Sequence, residues 1–309
     1  MKLFTFTILF SLAIAAPQTL PTTQRLTTFP GFAENIAVRP NNHLLITSLS
    51  TSSLYTLDPY GPNTTTLLTP ISNANGISGI AELQPDFFAV SAGLWNTTER
   101  RATNETIWTI DFRQAPPAFT KVVEIPETTI LNGLTAIPGT SIVLASDSAI
   151  GAIYSVDVGK RSYAIAIQDP ILTPVGPAPN LGVNGIEVHG SDLYFANSGR
   201  GVLGRFPINR AGRATGKAEV VAQFNASVNS AIDDFAIDEG GIAYVAFHPN
   251  TIFKVGRGGK TEVVVSGEGE VRDPTSLALG RGRGRRKVLY ASVNVLGEEI
   301  VGGVDAIYF

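Results

Sequence analysis

The feature that most constrains this chain is a phrase repeated six times. Its clearest copy runs from Val183 to Asn197: an Asn-Gly pair, a short apolar strand, a turn at His189–Asp192, and a second apolar strand. The six apolar residues that open the phrase are Ile36, Ile80, Leu134, Ile186, Phe235 and Leu277, spaced 44, 54, 52, 49 and 42 residues apart. A strand-rich unit repeated at that period predicts an all-β fold, a six-bladed β-propeller. A two-sheet sandwich also uses many short strands, but it gives no reason for a regular six-fold phrase.

Four strands can be drawn in each of the first five units and three in the sixth. Arg25–Phe29 reads as a lone strand upstream and is expected to complete the last blade, closing the ring and removing free sheet edges. The opening strands are almost continuous apolar runs, as strands packed on both faces should be. A closed ring leaves no place to cut the chain, so residues 17–309 are read as a single domain.

Met1–Ala16 combines one lysine, an apolar run too short to span a bilayer and a small-residue Ala13-Ile14-Ala15 site, the layout of a cleaved signal peptide. Asn63, Asn96, Asn104 and Asn225 each open an Asn-X-Ser/Thr sequon. Together these predict a glycosylated protein, secreted or held in the lumen of the secretory pathway. The net charge of -3 argues against nucleic acid or an anionic membrane as a partner, and a monomer acting on a small molecule is expected. There is no cysteine, which excludes thiol chemistry and thiolate metal sites.

In an up-and-down blade, the loop entering the first strand and the loop joining strands two and three open on the same face. That face should gather the six opening phrases, the second-strand ends (among them Asp147, Asn197, His248 and Asn294) and two long connections, Gly93–Glu105 and Asp169–Val183, as candidate lids. Two residues before each opening apolar residue stand Glu34, Ser78, Asn132, Asn184, Asp233 and Thr275. All six carry side-chain oxygens. Glu34, Asn132, Asn184 and Asp233 could surround a divalent cation such as calcium, magnesium, manganese or zinc; alternatively, Asn-Gly and Asp merely build turns. Gly280–Lys287 is strongly basic, but it is read as a solvated turn on the opposite face.

On these phrases the chain resembles the SMP-30/gluconolactonase/LRE-like propellers. The resemblance spans essentially all of residues 17–309 and rests on Glu34-Asn35, Asn132-Gly133, Val183-Asn184-Gly185-Ile186 and Asp233-Asp234-Phe235. It implies one divalent metal held by Glu34, Asn132, Asn184 and Asp233. The chain departs from the family's lactonases in lacking prolines before Asn184 and Asp233 and an identifiable lactone-gripping arginine. Its Glu34-Asn-Ile-Ala-Val-Arg39 phrase resembles a fungal secreted branch that includes hetero-Diels–Alderases of secondary metabolism, which join a quinone methide to an alkene. That resemblance implies a cyclisation enzyme needing no cofactor, with the metal-dependent lactonase or esterase and a non-catalytic ligand-binding propeller as alternatives. Asp233, His248 and Asn184 are the expected catalytic groups. Trp95, Asp147, Asn197, Ser78, Thr275 and Asn294 are the expected substrate contacts, beside apolar mouth residues Leu94, Ile171, Leu172, Val175 and Leu181.

Overall fold

The computed structural model describes residues 20–309 except 63, 97, 177–179, 228, 268 and 283–286. The proposed signal peptide, Asn63 and residues 283–286 of the basic turn lie outside the described residues. Six four-stranded antiparallel sheets are arranged as blades of a propeller. The innermost strands are Ala33–Val38, Gly76–Gln84, Leu131–Ala136, Val183–His189, Ile232–Ile237 and Ser276–Leu279, each packed against the next around the ring, the sixth against the first. In the last blade, Thr22–Pro30 pairs antiparallel with Val301–Tyr308, from Thr22 opposite Tyr308 to Pro30 opposite Val301. An ion pair between Arg25 and the buried Asp305 joins the same two strands.

The core is divided into six layers, each filled from two adjacent blades. Between blades 2 and 3, for example, Ala89 and Ile107 meet Leu134, Val143 and Tyr154. Between blades 4 and 5, Leu203 and Phe224 meet Phe235 and Val245. This explains why strands one to three of a blade are apolar on both faces: each face belongs to a different layer.

One irregularity recurs. In blades 1 to 5 the inner strand carries two residues opposite one of its partner, at 34–35, 78–79, 132–133, 184–185 and 233–234. Such a bulge turns a side chain out of the pleat and leaves a backbone N–H without its ladder partner. Second-strand hydroxyls receive these groups: Asn35 N donates to Thr47 Oγ1 (2.8 Å), Gly79 N to Ser91 Oγ (2.9 Å) and Gly133 N to Ser146 Oγ (2.9 Å). In blade 6, Ser276 N likewise donates to Ser292 Oγ (3.0 Å). The hydroxyls hand their own protons onward to the next blade. Thr47 donates to the carbonyl of Ser78 (2.6 Å), Ser146 to that of Asn184 (2.6 Å) and Ser292 to that of Glu34 (3.2 Å). Ser91 acts through Ser78, whose hydroxyl donates to Leu131 O at 2.6 Å.

The blade 2 hairpin differs from its sequence reading. Gly93–Glu105 is not a loose lid, because strands Phe87–Asn96 and Arg101–Asp111 continue through it and stay paired out to Asn96 opposite Arg101. Its outer arm is stitched to blade 3 by Ala102 N donating to Thr129 O, and by the fully buried Glu105. Glu105 Oε1 accepts Leu131 N at 3.0 Å, while Oε2 has no partner. Burial pushes this carboxyl up to about 8.

Two expectations follow. Ser146→Ala strands the buried Gly133 N–H and Asn184 carbonyl and should lower unfolding stability by about 1–3 kcal/mol, whereas Ser141→Ala at the surface should change it by about 0.5 kcal/mol or less, as read by urea unfolding. Because the folded pKa of Glu105 lies above its unfolded value of 4.5, its contribution is fully present below pH 4.5 and is lost as pH rises through about 8. Glu105→Gln should therefore flatten the decline in stability between pH 5 and pH 9.

Candidate functional site

The hydroxyl relay stops at blades 4 and 5. The positions equivalent to Thr47, Ser91, Ser146 and Ser292 are Ala196 and Ala246, both fully buried. These alanines offer no hydroxyl, and the blades are joined here through carboxylates and backbone instead: Ile237 N donates to Glu187 Oε2 (2.9 Å) and Asp234 N to Thr275 O (3.1 Å).

Strand Ala243–Phe247 delivers His248 to the mouth, where its backbone N–H is fixed by Ala231 O at 2.9 Å. The imidazole lies between two carboxylates: Nε2 is 2.6 Å from Asp233 Oδ2, and Nδ1 is 2.5 Å from Asp273 Oδ1. Asp273 is held in turn, its N–H donating to Pro249 O at 2.6 Å. Burial alone would push His248 down, but the hydrogen bonds and charges of Asp233 and Asp273 outweigh it and bring the imidazolium up to about 10. His248 is thus not a solvated loop histidine. Its side chain is 21% exposed, and both of its N–H groups are already engaged, which removes it as a direct donor to a substrate.

Glu34 stands at the opening of blade 1 and is only 8% exposed. Burial, reinforced by the negative charge of Asp233, holds its carboxyl well above the usual range, with His248 opposing. Asn184 donates through Nδ2 to Ser198 Oγ at 2.9 Å, and its buried Oδ1 has no partner. Asn132 is buried at the equivalent position of blade 3.

Below this level, Asp234 lies across blade 4 toward the axis. A Cβ on Gly185 would sit 2.0 Å from Asp234 Oδ1, so that glycine permits close approach and its φ is not in the left-handed region. Asp234 Oδ2 accepts from Asn35 Nδ2 (3.1 Å) and Ser276 Oγ (2.8 Å), and burial raises its carboxyl to about 7. Beneath them is a cavity of about 320 Å³ lined by the inner strands and reaching Glu82 and Arg281.

Five expected substrate contacts turn out to be braces. Ser78, Thr275 and Asn294 are buried and spend their polar atoms on neighbouring backbone, Thr275 and Asn294 on both sides of Ala33. Asp147 is fully buried and caps the N–H groups of Thr129, Ala149 and Ile150. Asn197 donates to the carbonyls of Ile171 and Thr173 and accepts Arg200 N, so it pins the start of the connection between blades 3 and 4. Arg200 reinforces that pin through Pro170 O at 2.9 Å. Leu172, expected at the mouth, is wholly buried. Trp95 remains half-buried, packed over Gly76, with its Nε1 unpartnered. Asn96, Asn104 and Asn225 are exposed, although Glu105 and Thr106 of the Asn104 sequon are buried. Asp273 is the residue that sequence reasoning missed. It lies two residues before Thr275, outside the one position per blade that the repeat singles out.

The donor set implied for a metal was Glu34, Asn132, Asn184 and Asp233. Its oxygen chemistry suits a hard cation, and the orphaned Asn184 Oδ1 is an available ligand. Asp233 Oδ2 already lies 2.6 Å from His248 Nε2, so a cation here would share that carboxylate with the ring. Glu34, Asn132, Asn184 and Asp233 would be the residues to hold one.

No family model matches the chain. It is 26% identical over 304 residues to a Phoma sp protein named as a hetero-Diels–Alderase, covering 86% of this chain and 84% of that protein. It is 25% identical over 251 residues to a Sarocladium schorii protein named as hetero-Diels–Alderase asR5; that match covers 72% of this chain and 62% of the relative's length. In fold it is similar to a luciferin-regenerating enzyme (TM-score 0.65, 15% identity, 93% and 95% of the two chains). It is also similar to regucalcin, a calcium-binding protein of Agrobacterium tumefaciens (TM-score 0.63, 16% identity, 90% and 92%). The suspected resemblance is supported from both sides, by sequence to fungal proteins named hetero-Diels–Alderases and by fold to SMP-30/gluconolactonase/LRE-like propellers.

Nuclear magnetic resonance of the His248 ring tests the trio. In the native chain His248 should not titrate below about pH 8. Asp273→Asn replaces one carboxylate by a neutral acceptor and should bring its midpoint down by at least about one unit.

Proposed function

We propose that this protein is a cyclisation enzyme of the hetero-Diels–Alder type, acting on a small, largely apolar substrate pair at the mouth of the propeller. The observation that carries this reading is Glu34, a carboxyl only 8% exposed at the opening of blade 1, whose burial favours the acid form that can donate a hydrogen bond. A hetero-Diels–Alder step joins a conjugated C=C–C=O unit to an alkene, forming one C–C and one C–O bond and expelling nothing. The protein need only hold the partners together and stabilise the negative charge that grows on the carbonyl oxygen. A neutral carboxylic acid donates one hydrogen bond to that oxygen and keeps its proton at the end. Neither a nucleophile nor a redox group is required.

The surroundings support an apolar substrate. Leu94, in the outer part of the blade 2 hairpin, and Ile150, Leu296 and Ile300, on loops joining second and third strands, lie on the mouth face and are unusually exposed for large aliphatic residues. Asp233, His248 and Asp273 act behind Glu34. Burial first and the charge of Asp233 second raise the Glu34 carboxyl, and His248 bridges Asp233 and Asp273. Asn184 offers one unpartnered amide end for orientation.

The test is product formation from a quinone methide generated in situ and an alkene, measured above the uncatalysed rate. Glu34→Ala should lower that excess rate by about 10²–10³-fold. Glu34→Gln, whose amide can still donate, should lose about tenfold or less. An unchanged rate in Glu34→Ala would sink the assignment of Glu34, and lactone hydrolysis without cyclisation would sink the reaction class.

A further inference from the structure

The blade 2 hairpin holds a bulge of its own, away from the channel. Ala92 stands opposite Thr106 and Leu94 opposite Thr103, which leaves Gly93 facing both Asn104 and Glu105. The bulge sends these two residues apart. Glu105 turns in and is fully buried, whereas Asn104 is exposed at φ 56°, a left-handed conformation that asparagine adopts more readily than most residues. Asn104 opens the sequon Asn104-Glu105-Thr106, and it lies at the wall of a groove of about 350 Å³. Trp108 forms the floor of that groove. Its ring packs on the apolar layer between blades 1 and 2, and its Nε1 donates to Thr106 Oγ1 at 3.0 Å, so the indole is fixed in place. Across the ladder, Lys121 stands opposite Trp108 and Glu124 opposite Thr106, and the two form an ion pair at 2.9 Å. Leu94 and the exposed Ser72 and Asn73, which precede the first strand of blade 2, complete the lining.

We infer that Asn104 carries an N-glycan whose first sugars lie in this groove. A pyranose ring has an apolar C–H face that suits an indole, and the hydroxyl and acetamide groups of an N-acetylhexosamine are donors and acceptors for Lys121, Glu124 and Asn73. Asn96 and Asn225 are exposed as well, but neither lines the groove. The covalent step takes a lipid-linked diphosphate oligosaccharide as donor. The bond from the sugar's anomeric carbon to phosphate oxygen breaks, the lipid diphosphate leaves, and a carbon–nitrogen bond forms to Asn104 Nδ2, which gives up one proton. That step precedes folding of blade 2, because afterwards Glu105 is buried and the Thr106 hydroxyl is committed to Ala92 O (2.8 Å) and Trp108. The hairpin then folds with the sugars already attached and seats them over Trp108. The condition is passage through a glycosylating compartment, which the Met1–Ala16 leader predicts.

The experiment is secretion of the full chain, with its own leader, from a eukaryotic host. Glycopeptide mass spectrometry should find an N-glycan on Asn104. From the folded protein, peptide N-glycosidase should release that glycan at least about tenfold more slowly than from folded Trp108→Leu, because the enzyme reaches only sugars that have left the groove. Lys121→Ala, at an exposed position, should also speed release and serves as a second variant in case Trp108→Leu folds poorly; circular dichroism reports the fold of each. After denaturation all three chains should release the glycan at one rate. An unmodified Asn104 would overturn the inference, as would a glycan released as fast from the folded native chain as from the folded variants. Neither readout involves cyclisation, so failure of the proposed reaction leaves the glycan site standing.

Discussion

The inner-strand bulge and the hydroxyl that answers it hold this propeller together where it matters. Each bulge lifts one side chain out of the pleat toward the mouth and frees a backbone N–H that cannot remain buried unpaired. Thr47, Ser91 and Ser146 accept that group, and Ser292 does the same in blade 6. By donating onward to the next blade, these hydroxyls set the height of the neighbouring bulge as well. The apolar layers press the blades together, but such packing has little direction. The relay gives the ring its register at the level where the functional side chains emerge.

The site lies where that device is withdrawn. Ala196 and Ala246 supply no hydroxyl, and beside them Asp233, His248 and Asp273 form a chain of charged hydrogen bonds. An ionic group of this kind is expensive to bury and contributes little net stability. Its value lies in what it fixes: the orientation of His248 and the charge of the mouth. The rest of the ring, stapled and apolar, can bear that cost.

Much of this was legible in sequence, for a definite reason. A six-fold phrase with apolar residues on both faces of its strands leaves few folds open, and the period marked the position of every bulge from Glu34 to Asp233. The same logic misled at Ser78 and Thr275. Equivalence in a repeat implies equivalent location, but not equivalent exposure, and these two hydroxyls are spent on blade-to-blade contacts. Asn197 and Asp147 were misread similarly, because a polar residue at a strand end can cap a turn as readily as face a ligand. Asp273 was invisible because its partner, His248, is 25 residues away in the chain and only the closed ring brings them together. The Gly93–Glu105 segment was misread because its Asn and Thr residues resemble a loop, while cross-strand pairing carries the hairpin outward.

Gly185 shows how far a local motif can mislead. Its Asn-Gly pair suggests a turn, yet the glycine is there because Asp234 of the next blade lies against it. Two consecutive aspartates at one bulge thus do different work. Asp233 is turned up to the imidazolium, and Asp234 is turned down to Asn35 and Ser276, where burial holds it near neutrality. The bulge makes that division possible, since adjacent residues in a regular strand would point to opposite faces of the blade. By placing both carboxyls along the channel axis, it separates a charged upper tier, where His248 compensates Asp233, from a lower tier that compensates itself through neutral hydrogen bonds.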